Sequence, residues 1–144
     1  MSAIGIKVLL VDDEPDFIET LAKRLSQRKM EVRMAYNAEA ALQELASEEA
    51  EVVVLDVKMP GMDGITAIKE IKRRHPMTEV IILTGHADLE ASAEGMASGA
   101  FDYLLKPAVI DELVYKIQDA HQVRSLRVAR MKELQKAAKS QKED

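Results

Sequence analysis

Cysteine is missing from the 144 residues, and so is tryptophan. Without a thiol, disulfide bridges, thiolate metal sites and cysteine nucleophiles are excluded. The absence is neutral about compartment and agrees with a reducing one. Two phenylalanines and three tyrosines are the only aromatic residues. Val, Ile, Leu, Met and Ala must therefore build the core, and the eight methionines read as fillers there. No apolar run approaches the roughly 20 residues needed to span a bilayer. Met1 to Ile6 have neither the length nor the charge pattern of a signal peptide. A cytoplasmic location is the resulting expectation.

What is present suits one folded domain. Hydrophobic residues make up 47% of the chain, too many for a disordered polymer. The net charge of −5 is unevenly spread: residues 123–144 carry +4 and residues 1–122 carry −9. An acidic body with a basic tail divides the chain into an expected domain, 1–122, and a helical tail or linker, 123–144.

Five short apolar runs alternate with five helical patterns. Ile6–Val11, Glu31–Tyr36, Val52–Leu55, Glu79–Thr84 and Phe101–Leu105 read as strands. Between them, Phe17, Ile18, Leu21, Ala22 and Leu25 recur at helical spacing. So do Ala41, Leu42 and Leu45, behind the candidate cap Asn37. Ile65, Ile68 and Ile71 mark a third helix, which His75-Pro76 ends. A fourth, over residues 88–98, has a shallow apolar face of Leu89, Ala93, Met96 and Ala97, and stops at Gly99. The fifth begins near Val109 with Ile110, Leu113, Val114 and Ile117 inward. Strands separated by helices of this length imply right-handed βαβ units and a parallel α/β sheet wound on both faces.

One stretch, Val52-Val-Val-Leu-Asp-Val-Lys-Met-Pro-Gly-Met-Asp-Gly64, ends a greasy strand in a carboxylate, Asp56. In an open α/β sheet, ligands bind at the carboxyl ends of the strands. Asp12, Asp13 and Glu14 follow the first strand. Thr84-Gly85-His86 follows the fourth, and Lys106-Pro107 the fifth. Clustered carboxylates repel, and a cation relieves that repulsion. An oxygen-only ligand set favours a hard ion such as Mg²⁺. Metal, lysine and hydroxyl around one aspartate make a phosphoryl-binding site, with Asp56 as nucleophile.

Asp12-Asp13, Leu55-Asp56 through Asp63-Gly64, Thr84-Gly85 and Lys106-Pro107 together resemble the receiver domain of two-component response regulators, over roughly residues 5–122. The resemblance implies a flavodoxin-like sheet in the order 2-1-3-4-5. It implies that Asp56 accepts a phosphoryl group from the phosphohistidine of a sensor kinase. Asp13, Asp56 and the backbone carbonyl of Lys58 then bind Mg²⁺, with Asp12 acting mostly through water. Lys106 contacts the phosphoryl oxygens, Thr84 moves toward them, and Tyr103 rotates inward behind it. Pro107 follows a cis peptide bond. Lys58 and His86, each two residues past a key position, tune how fast phosphate is lost.

Single residues have plainer readings. Asp12-Asp13 alone resembles a helix cap, Asp63-Gly64 reads as turn and cap, and His121 reads as an exposed helix residue. In the tail, Val123, Leu126, Val128, Met131 and Leu134 fit no clean heptad. Its readings are a solvated helix, or a linker that binds a partner, including a second copy of the chain. Lacking aromatics and a recognition motif, it reaches nucleic acid at most indirectly.

The expected function is a signalling module that catalyses its own phosphorylation and dephosphorylation. It signals through the surface of the fourth helix, fifth strand and fifth helix to an effector protein or fused output domain. The rival is a Mg²⁺-dependent phosphatase of haloacid-dehalogenase type, but such enzymes place a second Asp where Lys58 stands. A nucleotide- or flavin-binding domain would want a glycine-rich turn after the first strand, and Val11-Asp-Asp-Glu-Pro15 has none. Residues 123–144 are too few for an independent core. The expectation is a stand-alone regulator, or a receiver followed by a linker helix.

Overall fold

The computed structural model describes residues 3–59, 61–85 and 88–143, with side chains up to residue 141. Strands and helices alternate: β1 (Lys7–Val11), α1 (Pro15–Gln27), β2 (Glu31–Ala35), α2 (Ala38–Ser47), β3 (Val52–Leu55), α3 (Gly64–Arg74), β4 (Glu79–Thr84), α4 (Leu89–Ala97), β5 (Asp102–Leu105) and α5 (Ile110–Glu143). Every strand pairing is parallel, and the order is β2-β1-β3-β4-β5. This is the doubly wound, flavodoxin-like order that the resemblance implies. The direction of winding reverses between β1 and β3, where such sheets open a crevice.

Strand side chains alternate between faces, so each strand feeds two cores. Leu9, Val11, Val53, Leu55, Val80 and Ile82 pack with Ala41, Leu45, Ile68 and Ile71 of α2 and α3. Val8, Leu10, Val52, Val54, Ile81 and Leu83 pack with Ile18, Leu25, Leu113 and Ile117 of α1 and α5. Each fully buried aliphatic side chain contributes about 1.5–3 kcal/mol. Two continuous apolar faces hold β1, β3 and β4 rigid up to their last residues.

Local signals agree with the elements. Asn37 Oδ1 accepts from the Ala40 N–H at 2.8 Å, and Asp63 Oδ1 from the Thr66 N–H at 2.8 Å. Both are side-chain N-caps. At Gly64 a Cβ would lie 2.3 Å from Val57 Cα, so the first residue of α3 presses on the backbone just past Asp56. Only glycine permits that approach, which folds the β3–α3 loop back over the strand end.

Three expectations need correction. On α4, Leu89, Ala93, Met96 and Ala97 face solvent, while Ser92 and Gly95 are buried. The helix sits on the sheet by its smallest residues: a Cβ on Gly95 would lie 2.3 Å from Ile82 Cδ1. Close approach displaced the larger apolar side chains outward. Next, Met30 is the one methionine buried among those described; the branched aliphatics fill the core instead. Last, His121 is not a free surface residue: its Nδ1 pairs with Glu51 Oε2.

Helix α5 does not break at residue 122. Arg127 Nη1 reaches Glu79 Oε1 at 2.5 Å, and from residue 129 to 141 every residue is exposed. No described helix is long and apolar enough to cross a membrane.

Candidate functional site

Strand register delivers the site. Val11 is opposite Leu55, so Asp12 and Asp56 leave adjacent strands together. The Asp56 N–H donates to Val11 O at 3.0 Å and locks that step. Thr84 is opposite Leu105, and the Lys106 N–H donates to Thr84 O at 2.7 Å. Four residues separated by up to 94 positions thus meet at one sheet edge.

Lys106 lies at the centre. Its Nζ is 2.8 Å from Asp12 Oδ2, 3.2 Å from Asp56 Oδ2 and 3.6 Å from Glu14 Oε1. The same ammonium lies 4.3 Å from the centre of the Phe17 ring, whose face attracts cations. Burial opposes its charge, but the Asp12 hydrogen bond and the charges of Asp56 and Asp12 prevail and hold its pKa above the ordinary lysine value. Asp12 moves the other way for a carboxylate. Desolvation raises its pKa, outweighing the Lys106 and Glu14 N–H contacts that favour its charged form.

Asp56 is 6% exposed, yet both its oxygens have donors. Oδ1 accepts from Thr84 Oγ1 at 2.7 Å and from the Lys58 N–H at 3.0 Å; Oδ2 accepts from Lys106. Thr84 is fully buried and already touches Asp56. The Lys58 side chain turns away, to Asp88 Oδ1 at 2.8 Å, and that pairing raises its pKa. Tyr103 is 39% exposed on β5, and the Lys106–Pro107 peptide is cis. His86 lies outside the described residues.

Oxygen atoms of Asp12, Asp13, Glu14 and Asp56 lie within 4.8 Å of one another. Three of these four carboxylates, Asp12, Glu14 and Asp56, share one lysine, and the potential ligand atoms are all oxygen. The set fits a hard divalent cation such as Mg²⁺, which would favour the charged form of Asp12 against the burial that raises its pKa and against the lesser repulsion from Asp56. Sequence reading did not single out Asp88 or Phe17. Asp88 precedes a helix and looks like a cap, and Phe17 looks like a core residue of α1; only tertiary geometry separates these roles.

A parallel sheet with acids, a hydroxyl and a lysine gathered at the carboxyl ends of its strands has the chemistry suited to a phosphoryl group and a cation. The chain matches the family described as response regulator receiver domain over residues 8–118, and it belongs to that family. It is 42% identical over 113 residues to the DNA-binding transcriptional regulator NtrC of Escherichia coli, covering 78% of this chain and 24% of that protein. It is 34% identical to the response regulator protein PilR of Pseudomonas aeruginosa over 119 residues, or 83% of this chain and 27% of that one. The chain thus spans about a quarter of the length of these curated relatives. Among solved structures, a response regulator receiver domain protein from Clostridium thermocellum superimposes with a TM-score of 0.80 at 34% identity, covering 83% of this chain and 97% of that one. The receiver domain of NtrX from Brucella abortus gives 0.77 at 32%, covering 80% and 98%. The chain is a two-component receiver domain, and the phosphatase alternative is not favoured.

Proposed function

We propose that Asp56 accepts a phosphoryl group from the phosphohistidine of a sensor histidine kinase. One Asp56 oxygen forms a bond to phosphorus as the P–N bond breaks, and the electron pair stays on the imidazole nitrogen. Water later attacks the phosphorus of the aspartyl phosphate. Inorganic phosphate leaves and the carboxylate returns. The supporting observation is that Asp56 is buried with donors on both oxygens, Thr84 and the Lys58 N–H on one and Lys106 on the other. Such donors stabilise the charge of a transferring phosphoryl group.

Asp13, Asp56 and the Lys58 carbonyl would hold Mg²⁺, with Asp12 acting through water. The ion supplies charge neutralisation on phosphoryl oxygens. Lys106 orients the acceptor and faces the incoming oxygens. Thr84 and Tyr103 report the new charge to the surface of α4, β5 and α5, and Lys58 and His86 set the lifetime of the phosphoryl group. Residues 123–144 continue the domain as a helical linker. It leads to an effector or an output domain, through which nucleic acid is reached indirectly, or it pairs with a second copy.

Incubation with a small acyl phosphate and Mg²⁺ tests the reading. One acid-stable, base-labile phosphoryl group per chain is expected, absent in Asp56→Asn. Continuous release of phosphate from added phosphomonoesters would instead support a phosphatase.

A further inference from the structure

Helix α1 starts at Pro15, just past the acids that follow β1, and so begins beside the site. Helical side chains lean toward their own N-terminus. At the third helical position that lean carries the Phe17 ring back toward the sheet edge, where its face meets Lys106 Nζ at 4.3 Å from the ring centre. The ring also packs, half-buried, against the core beneath α1 and α5. Among the described residues, the buried members of that core carry no aromatic ring; they are aliphatic, with one methionine. Leucine or isoleucine serves that packing elsewhere on α1, so packing alone does not call for phenylalanine here.

An ammonium has three hydrogens to place. Lys106 donates to Asp12 Oδ2 at 2.8 Å and to Asp56 Oδ2 at 3.2 Å. Glu14 Oε1, at 3.6 Å, is too far for a third hydrogen bond, and the Glu14 side chain is 64% exposed to competing water. Among the described residues, the Phe17 face is the one uncharged group that holds this cation.

These partners differ in what a metal does to them. Asp12, Glu14 and Asp56 all belong to the oxygen cluster that fits a divalent cation. Carboxylate charge committed to such an ion is withdrawn from the lysine. A hard cation takes oxygen ligands and leaves an aromatic face alone. Phe17 is thus the Lys106 contact that metal binding does not contest. Its ring carries no net charge to repel an incoming anion.

Resting on the phosphoryl-acceptor reading above, we propose that Phe17 is a positioning residue: its ring face keeps the Lys106 ammonium at the sheet edge when the carboxylates are committed to a metal, so that the amine is in place for phosphoryl oxygens. Without the ring the charge remains, but its flexible four-carbon stem must be ordered at the moment of binding. Binding of the phosphoryl group weakens accordingly, while the candidate metal ligands are untouched.

Fluorinated phenylalanines incorporated at position 17 of the full chain test this. Each fluorine draws electron density from the ring face and scarcely changes ring size, so packing stays while the pull on the cation fades stepwise. Beryllofluoride with Mg²⁺, a phosphoryl mimic, should bind less tightly with each added fluorine. Phe17→Leu should bind it about fivefold more weakly than wild type, the scale of a partly exposed contact between a cation and a ring. Phe17→Tyr, which keeps an electron-rich face, should match wild type. A second readout needs no anion. The Lys106 ε-methylene protons, shielded by the ring, should keep their upfield NMR shift in wild type when Mg²⁺ is added, and lack it in Phe17→Leu. Affinity indifferent to fluorination, or a shift that Mg²⁺ abolishes, overturns the role of the ring and leaves Asp56 as acceptor. Failure of beryllofluoride to bind the wild-type chain overturns the acceptor reading itself.

Discussion

The two ends of the sheet hold similar kinds of residues in opposite balance. At the carboxyl end, Asp12, Asp13, Glu14, Asp56 and Asp88 face two lysines, Lys58 and Lys106. At the amino end, Glu79 is 3% exposed and has two cations, Arg127 at 2.5 Å and Lys72 at 3.7 Å. Glu51 nearby has His121. Lys72 also donates to the carbonyls of Pro76 and Thr78, at 3.0 and 2.9 Å. Burial lowers the Lys72 pKa despite Glu79, with Arg127 adding to the lowering. One end is electrostatically finished and ties α5 to the domain. The other carries surplus negative charge that folding alone leaves uncompensated, and such a surplus is what a metal ion and a phosphoryl chemistry require.

Charge changes should therefore alter chemistry at one end and only stability at the other. The largest effect belongs to Asp56→Asn. Phosphoryl incorporation from an acyl phosphate should fall from one per chain to none, by intact mass, while urea unfolding shows no loss of stability because a repelling charge has gone. Lys106→Met comes next. Breaking a fully buried ion pair costs about 3–5 kcal/mol; the partial exposure of Lys106 discounts this to about 2–3 kcal/mol. Urea unfolding of the metal-free variant should show that loss, and saturating Mg²⁺ should restore part of it.

Glu79→Gln is the mirror case. It leaves Arg127 and Lys72 without their carboxylate and should cost about 1–2 kcal/mol, for the same reason at a more exposed pair. Acyl-phosphate labelling should match wild type. A change in labelling there would erase the contrast between the ends. The smallest effect is at neither end's charge cluster. Asp63→Ala removes a cap worth about 1 kcal/mol. The Thr66 N–H bond lowers the Asp63 pKa below the ordinary value of 3.8. The cap's contribution is thus fully present above that value and lost as pH falls through the lower, folded one. Unfolding at neutral pH should separate Asp63→Ala from wild type, and strongly acidic unfolding should bring them together.

Much of this was legible in the residues. Val52–Leu55 is apolar throughout and Glu79–Thr84 at every position but its two ends, and buried parallel strands read that way. Asn37 and Asp63 announce helix starts by type and place. The fold and the acceptor cluster emerged from pieces dispersed from Asp12 to Lys106, which carry meaning only together. Other features depend on packing that no local pattern records. α4 presents Gly95 to the sheet because a close approach favours small residues over the larger apolar ones. Glu51 with His121, and Glu79 with Arg127, meet across 70 and 48 positions. Asp88 has the sequence signature of a cap and the geometry of a site residue.

The most direct test maps where a phosphoryl group goes. After exposure to an acyl phosphate with Mg²⁺, reductive trapping of the mixed anhydride and peptide mass mapping should place a single modification at residue 56, and chelation of the metal should abolish it. Modification elsewhere, or undiminished labelling without the metal, would contradict the account.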